Sequence, residues 1–189
     1  AYLYLKDTVR ALENFDQAIR TNRENPNGYY QRGTLLLQKE EYARAEADFD
    51  MSIRCDSAFL PPYFNRAVVY SNTNRPMQAL ADFDRVLQLD STNSFTYFNR
   101  AILRTQIGDY NRALDDFDRV ALYSPGNVQV YYLRAMLKTR LGDLEGAERD
   151  YTRAIELYPD FANAYLNRSA LRYALHNPKA ANCLLYTSP

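Results

Sequence analysis

The apolar positions of this chain repeat every 34 residues. A tyrosine marks the pattern five times, and glycine, alanine or serine follows it four residues later. The five tyrosines are Tyr29, Tyr63, Tyr97, Tyr131 and Tyr165. Alanine lies twelve residues beyond each small residue, and an aromatic residue follows that alanine by four residues in four of the five copies. A fixed period of this length indicates stacked copies of one supersecondary unit.

Each copy of the repeat predicts two helices joined by a turn. With the tyrosine as position 4, positions 4, 8 and 11 and positions 20, 24 and 27 are mostly apolar or small, which is the spacing of one helix face. Position 15 carries Gly108, Gly142 or Asn74, residue types that tolerate a positive φ. Pro76 and Pro178 at position 17 suit the first turn of a helix. Each unit is therefore predicted to be a helix–turn–helix hairpin.

The pattern predicts an all-α chain of about ten helices without strands. Small residues at positions 8 and 20 should let the two helices of a hairpin approach closely at the Tyr and Phe side chains. We expect first helices near 27–38, 61–73, 95–107, 129–141 and 163–175. We expect second helices near 9–22, 41–54, 75–88, 109–122 and 143–157.

The repeat resembles the tetratricopeptide repeat. That family has a large residue at position 4, Gly or Ala at 8, an aromatic at 11, Ala at 20, an aromatic at 24, a small residue at 27 and Pro at 32. The register here is unbroken from Ala11 to Ala181. The chain departs from the pattern at position 32, which is rarely Pro, and at position 11, where the last three units carry Arg104, Lys138 and Arg172. The resemblance implies an all-α, right-handed superhelical solenoid.

The register divides the chain into one repeat array at 1–182 and a short tail at 183–189. The array comprises a partial unit at 1–25, units at 26–59, 60–93, 94–127 and 128–161, and a truncated unit at 162–182. The tail resembles a translated transposase sequencing adapter and begins where the pattern fails, with Leu184 where four units carry Asp. We therefore expect a fragment of a metagenomic reading frame with a non-native tail. The alternative is a genuine but degenerate final helix.

Composition argues against several classes of function. The 23 basic and 23 acidic residues balance, whereas nucleic-acid binding normally brings a basic excess. The sequence contains no run of 18 apolar residues, so it predicts no membrane span. Cys55 and Cys183 lack metal-ligand spacing, and the single histidine, His176, lies at a turn position. We therefore expect no metal, no cofactor and no catalytic centre. A cytoplasmic location is favoured, although an upstream leader would change that.

Two charged columns run through the repeats. Position 7 is Arg32, Arg66, Arg100, Arg134 and Arg168, and position 23 is Asp48, Asp82, Asp116 and Asp150. Position 7 shares a face with the aliphatic position 10, so each arginine should be partly buried and require a partner. We interpret the columns as a structural ion-pair ladder rather than a ligand-binding stripe, since they match in number.

The ladder could be paired in two ways. We expect pairing across repeat junctions, because the face that carries the arginine should pack on the preceding second helix. The expected pairs are Asp48 with Arg66, Asp82 with Arg100, Asp116 with Arg134, and Asp150 with Arg168. Pairing within a unit, such as Arg66 with Asp82, stays open.

The other faces of the first helices carry aromatic, aliphatic and amide side chains at positions 5, 6, 9 and 13. In the family that the chain resembles, these faces line the concave surface of the superhelix. Rigid apolar area beside amides suits a peptide backbone. The expected peptide-binding residues are Tyr30, Gln31, Phe64, Asn65, Val68, Asn72, Phe98, Asn99, Ile102, Gln106, Tyr132, Met136 and Asn167. The alternative is that position 5 packs between repeats and the amides are neutral surface.

These features favour a non-catalytic scaffold that binds an extended segment or helix of a partner protein in its groove. The alternative is a targeting or regulatory module of a larger enzyme or signalling protein. The carboxylate clamp found in some members of the family is not expected, because it uses Lys at position 5 and Asn at position 9. Here those positions are aromatic or apolar, apart from Thr34.

Overall fold

The computed structural model describes residues 2–176, with side chains from residue 7 onward. Across that range the chain forms ten α-helices and no strand. They are α1 Tyr2–Thr21, α2 Pro26–Gln38, α3 Tyr42–Cys55, α4 Leu60–Asn72, α5 Pro76–Leu89, α6 Ser94–Gln106, α7 Tyr110–Tyr123, α8 Val128–Leu141, α9 Leu144–Leu157 and α10 Ala162–His176. The predicted all-α fold of helical hairpins is confirmed. Pro178, Ala181 and the predicted tail at 183–189 lie outside the described residues.

The bounds of α2 to α10 differ from the predicted ones by no more than one residue at either end. The prediction for α1 was wrong at its start, because the helix begins at Tyr2 rather than near residue 9. Lys6 occupies position 15 of this partial unit, where later units have a turn residue. Lysine is a good helix former, so the sequence contains nothing that would break the helix there.

Proline or a side-chain cap marks several helix starts. Pro26 and Pro76 are the first residues of α2 and α5, where the missing N–H costs no helical hydrogen bond. The Asn25 side chain accepts a hydrogen bond from the backbone N–H of Asn27 at 3.0 Å. Asn127 caps α8 by accepting from the N–H of Gln129 at 3.1 Å.

One residue in the left-handed conformation makes each hairpin turn. Position 15 has φ values of 60° at Glu40, 56° at Asn74, 82° at Gly108 and 85° at Gly142. The next N–H then donates to the carbonyl of position 11, as from Arg75 to Tyr70 at 2.8 Å. This bond satisfies a carbonyl at the end of the first helix. Glycine and asparagine were predicted for this role, whereas Glu40 adopts it despite its Cβ.

The structure groups into two compact units, with the boundary between Thr96 and Tyr97 inside α6. In the first unit, Ala45, Ala67 and Ala79 are completely buried where the helices of a hairpin meet. The rings of Phe49 and Phe83 fill the space beside them. A Cβ added at Gly33 would lie 2.8 Å from a ring carbon of Phe49, so the approach there is close.

The second unit repeats this packing with its own residues. Its buried alanines surround the rings of Phe117 and Tyr151, which are also buried. The alanines are Ala101, Ala113, Ala135 and Ala147. The predicted close approach at positions 8 and 20 is therefore confirmed in both units.

The left-handed turn generates a stability prediction. Glu40→Gly should raise the free energy of unfolding by about 0.5–1 kcal/mol, because glycine adopts φ near 60° without a clash of its Cβ. Gly108→Ala makes the opposite change at the same repeat position. It should lower the free energy of unfolding by about 1 kcal/mol. Urea denaturation of the full chain measures both. Equal signs for the two variants would contradict this account of the turn.

Candidate functional site

The arginine at position 7 binds the aspartate of its own repeat. Nε and Nη2 of Arg66 donate to the two carboxylate oxygens of Asp82 at 2.8 and 2.7 Å. Arg134 binds both oxygens of Asp150 in the same way. The same geometry joins Arg32 to Asp48 and Arg100 to Asp116.

The predicted pairs Asp48–Arg66, Asp116–Arg134 and Asp150–Arg168 are therefore wrong. Asp82 and Arg100, also predicted to pair, likewise each bind a partner in their own repeat. Pairing within the unit, which the sequence left open, is what the structure shows.

A second acidic column bridges the repeat junctions instead. The remaining donor of the arginine, Nη1, reaches the residue at position 25 of the preceding repeat, as from Arg134 to Asp118 at 2.7 Å and from Arg66 to Asp50. Arg168 makes the equivalent bond to the hydroxyl of Thr152 at 3.2 Å. Positions 23 and 25 lie about 200° apart around a helix, given about 100° per residue. Position 23 therefore faces its own first helix, and position 25 faces the next one.

Two of the three charged residues at position 11 join the same pairs. Nη1 of Arg104 donates to Asp116 at 2.7 Å, and Nζ of Lys138 donates to Asp150 at 2.8 Å. These departures from the family pattern thus place a second cation on a buried carboxylate. The aromatic residue usual at this position is replaced by a cation that forms a second ion pair with the aspartate.

Burial makes these charges costly to leave unpaired. The side chain of Asp82 is 9% exposed and that of Arg66 is 17% exposed. Burial raises the pKa of the Asp82 carboxyl, while the hydrogen bonds from Arg66 act in the opposite direction. In the first repeat, the hydrogen bonds that Arg32 donates to Asp48 raise the pKa of Arg32. Each arginine is therefore held in place by the carboxylates, which agrees with a structural rather than a ligand-binding role.

The aromatic residues at position 5 are half-buried in both units. In the first unit, the Phe64 ring lies 5.6 Å from that of Phe83 and 5.0 Å from that of Phe95, measured between ring centres. In the second unit, the Tyr132 ring lies 4.7 Å from that of Phe161. Each ring therefore packs on other rings and keeps part of its surface exposed. Position 5 thus contributes to packing, and its role in peptide binding stays a prediction.

In the first unit, a cavity of about 330 Å³ opens beside Phe64, and we call it the aromatic pocket. Phe95, which is 63% exposed, forms part of its wall. Its lining residues are Tyr30, Leu60, Pro61, Phe64, Asn65, Asn93, Phe95 and Thr96. The sequence identified Tyr30, Phe64 and Asn65 among them and missed the rest, which belong to the start and N-terminal flank of the first helices.

The amides of this pocket already have protein partners. Nδ2 of Asn65 donates to the hydroxyl of Thr34 at 3.0 Å. The side-chain oxygen of Asn93 accepts from the N–H and hydroxyl of Thr96 at 3.0 and 2.9 Å, which caps α6. The amides therefore help to hold the helices, and only part of their hydrogen-bonding capacity remains unused.

In the second unit, an apolar cavity of about 170 Å³ lies between α6 and α8, and we call it the apolar cleft. Phe117 of α7 is part of its lining. The full lining is Ile102, Thr105, Gln106, Phe117, Leu133, Met136, Leu137 and Arg140. The structure thus brings together three residues that the sequence predicted, Ile102, Gln106 and Met136.

The other predicted residues lie outside these two cavities. Gln31 and Asn72 are exposed, and Val68, Phe98 and Asn99 are half-buried. Asn167 donates from Nδ2 to the hydroxyl of Tyr132 at 3.2 Å.

Two residues of the cleft that the prediction missed have a visible sequence signature. Leu133 and Arg140 interrupt the amides otherwise common at positions 6 and 13. A comparison of each position across the repeats could have found them.

Residues 2–176 contain neither a cluster of metal ligands nor a helix suited to cross a membrane. No cluster of three or more His, Cys, Asp or Glu side chains in that range could hold a metal ion. None of the helices there is long and apolar enough to cross a bilayer.

Comparisons with known proteins agree on one repeat family. Three family models, each described as a tetratricopeptide repeat, match residues 1–58, 60–93 and 128–161, about two thirds of the chain. No curated protein matches the sequence significantly.

Solved structures share the fold. YrrB, described as a TPR protein with an unusual peptide-binding site, is 21% identical with a TM-score of 0.78, over 94% of this chain and 91% of its own. A tetratricopeptide repeat protein from Parabacteroides merdae is 21% identical with a TM-score of 0.74, over 99% and 75%. MamA from Desulfovibrio magneticus is 17% identical with a TM-score of 0.73, over 86% and 92%. At these identities the likeness shows the fold alone.

The buried ion pairs predict an asymmetric response to mutation. Arg66→Ala should lower the free energy of unfolding by about 3–5 kcal/mol, because Asp82 is left as an unpaired buried charge. The double variant Arg66→Ala, Asp82→Ala should be more stable than Arg66→Ala alone. Asp50→Ala removes the exposed partner of the same arginine and should cost at most about 1 kcal/mol. Denaturation showing equal losses for Asp50→Ala and Arg66→Ala would contradict the assignment.

A second ion pair predicts how stability depends on pH. Arg75 donates to both oxygens of Glu46 at 3.0 and 2.6 Å, and these bonds lower the pKa of Glu46 below its ordinary value of 4.5. A lowered pKa means that the pair stabilises fully above pH 4.5 and is lost as the pH falls through the folded-state pKa.

Glu46→Gln should therefore be less stable than wild type at pH 6 by at most about 1 kcal/mol, since the pair is partly exposed. The difference should shrink toward pH 3 in thermal denaturation. Arg75→Gln should remove the same pH dependence. A constant difference between wild type and Glu46→Gln from pH 6 to pH 3 would rule out the pair as its source.

Proposed function

Because the chain belongs to the tetratricopeptide repeat family, we propose that it is a non-catalytic interaction protein that binds a segment of a partner protein along its first helices. Proteins of this family generally mediate protein–protein interactions. The segment binds through the apolar cleft of the second unit, and the aromatic pocket is a separate candidate surface on the first unit.

The apolar cleft is the observation that carries this proposal. A dry apolar cavity of about 150 Å³ accommodates a molecule the size of benzene. The cleft, at about 170 Å³, has room for one large apolar side chain, such as that of Leu, Met or Phe. Ile102, Leu133 and Met136 line it with aliphatic surface that is half-buried in the free protein. Filling it would remove that surface from water, which is favourable by about 25 cal/mol per Å².

A peptide is the class of ligand that the surroundings favour. Gln106 lines the cleft and is exposed, so its amide can both donate to and accept from a peptide backbone. The described peptide-binding site of YrrB, a protein of the same fold, supports the same class of ligand. In the aromatic pocket, the exposed ring of Phe95 offers rigid apolar area of the kind that dominates interface energies.

The chemistry of the cleft supports binding rather than catalysis. Acid–base and nucleophilic mechanisms need a titratable or nucleophilic group oriented by a second one. The eight lining residues include one charged side chain, Arg140, whose guanidinium has N–H donors and no acceptor atom. The hydroxyl of Thr105, also in the lining, donates to the carbonyl of Ala101 at 2.8 Å and is part of the helix.

A peptide selection tests the proposal. The full chain is screened against a random dodecapeptide library, and the affinity of a selected peptide is measured by calorimetry. Met136→Arg should weaken binding at least tenfold, because the new side chain occupies the cleft with a charge. Met77→Arg, the same substitution at a site on α5 that is 73% exposed, should leave the affinity within twofold.

Thermal melts of both variants serve as the control that they remain folded. A selection that yields no binding peptide, or a peptide that binds Met136→Arg as tightly as wild type, would overturn the proposal for the cleft.

A further inference from the structure

We infer that the apolar cleft selects partner segments in which an Asp or Glu lies within two residues of the large apolar anchor. This inference rests on the proposed function and adds the chemistry of the partner. Its source is Arg140, the one charged residue in the lining of the cleft.

Arg140 is exposed, and its position is set by an aromatic ring. Its guanidinium carbon lies 4.8 Å from the centre of the Tyr110 ring, a cation–π contact. This contact orients the guanidinium. It leaves unused the N–H donors, which lie in the plane of the guanidinium. The guanidinium is therefore held beside the cleft while those donors stay accessible.

Among residues 2–176, no carboxylate forms an ion pair with Arg140. The neighbouring cations differ, since Arg104 and Lys138 are bound to Asp116 and Asp150. Asp143, the next acidic residue along the chain, accepts from the N–H of Gly146 at 2.9 Å and caps α9.

A carboxylate is the group that best matches this arrangement. The guanidinium fork binds both oxygens of a carboxylate, and such charge-assisted bonds are about twice as strong as neutral ones. Because Arg140 itself lines the cleft, the anchor and the acid must be close in the partner. Two residues of extended chain span about 7 Å, which sets the expected spacing.

Two parallel selections test this inference. The random dodecapeptide library is screened against wild type and against Arg140→Glu, and the selected sequences are compared. Wild type should enrich an apolar residue with Asp or Glu within two positions. Arg140→Glu should keep the apolar residue and enrich Lys or Arg in place of the acid.

The outcomes separate this inference from the proposed function. Apolar anchors without acidic enrichment would overturn the inference and leave the proposed function intact. Peptides that do not depend on Met136, or no peptides at all, would overturn both.

Salt dependence provides a second measurement. For an acidic peptide selected on wild type, Arg140→Gln should weaken binding about three- to tenfold at 50 mM NaCl, with little effect at 1 M, because an exposed charge pair is screened by salt. Arg119→Gln removes an exposed arginine of α7 that does not line the cleft and should change the affinity less than twofold. Equal effects of the two variants would assign the charge effect to the whole surface and contradict a specific role for Arg140.

Discussion

The contact on which the other features depend is that between the ring at position 24 and the small residues at positions 8 and 20. Alanine or glycine lets the two helices of a hairpin close around Phe49, Phe83, Phe117 or Tyr151, which are all buried. At Gly33 the fit leaves no room for a Cβ. This close approach brings position 7 within bidentate reach of position 23. It also places the ring at position 5 against the ring at position 24, with part of the position 5 ring still exposed.

The arginine at position 7 then forms bonds both within its own repeat and to the preceding one. Its bidentate bond to position 23 fixes one helix against the other within a hairpin, since planar groups pair in a single geometry. Its third donor reaches position 25 of the preceding repeat, as in Arg66–Asp50 and Arg134–Asp118. Apolar contacts alone would let neighbouring helices slide along each other, whereas these hydrogen bonds form in only one register of the helices. The charges at position 11 reinforce the pair where Arg104 and Lys138 replace the usual aromatic residue.

The two units share this framework and differ on the surface of their first helices. The first unit presents aromatic rings and amides, and those amides are partly used to cap and join helices. The second presents an aliphatic cleft beside Arg140. The residues that build the hairpin are thus similar from repeat to repeat, whereas positions 5, 6, 9 and 13 vary more.

The sequence by itself determined the hairpins, because helix periodicity and turn residues are local properties of the chain. It located α2 to α10 within one residue and identified the face that holds Ile102, Gln106 and Met136. It left open whether the aspartate at position 23 pairs with the arginine of its own repeat or with that of the next one, because only the rotation of the second helix decides which arginine it faces. Nor could it show that Leu133 and Arg140 enclose a cavity with those residues. A cavity depends on distances between separate helices, which the tertiary structure alone decides.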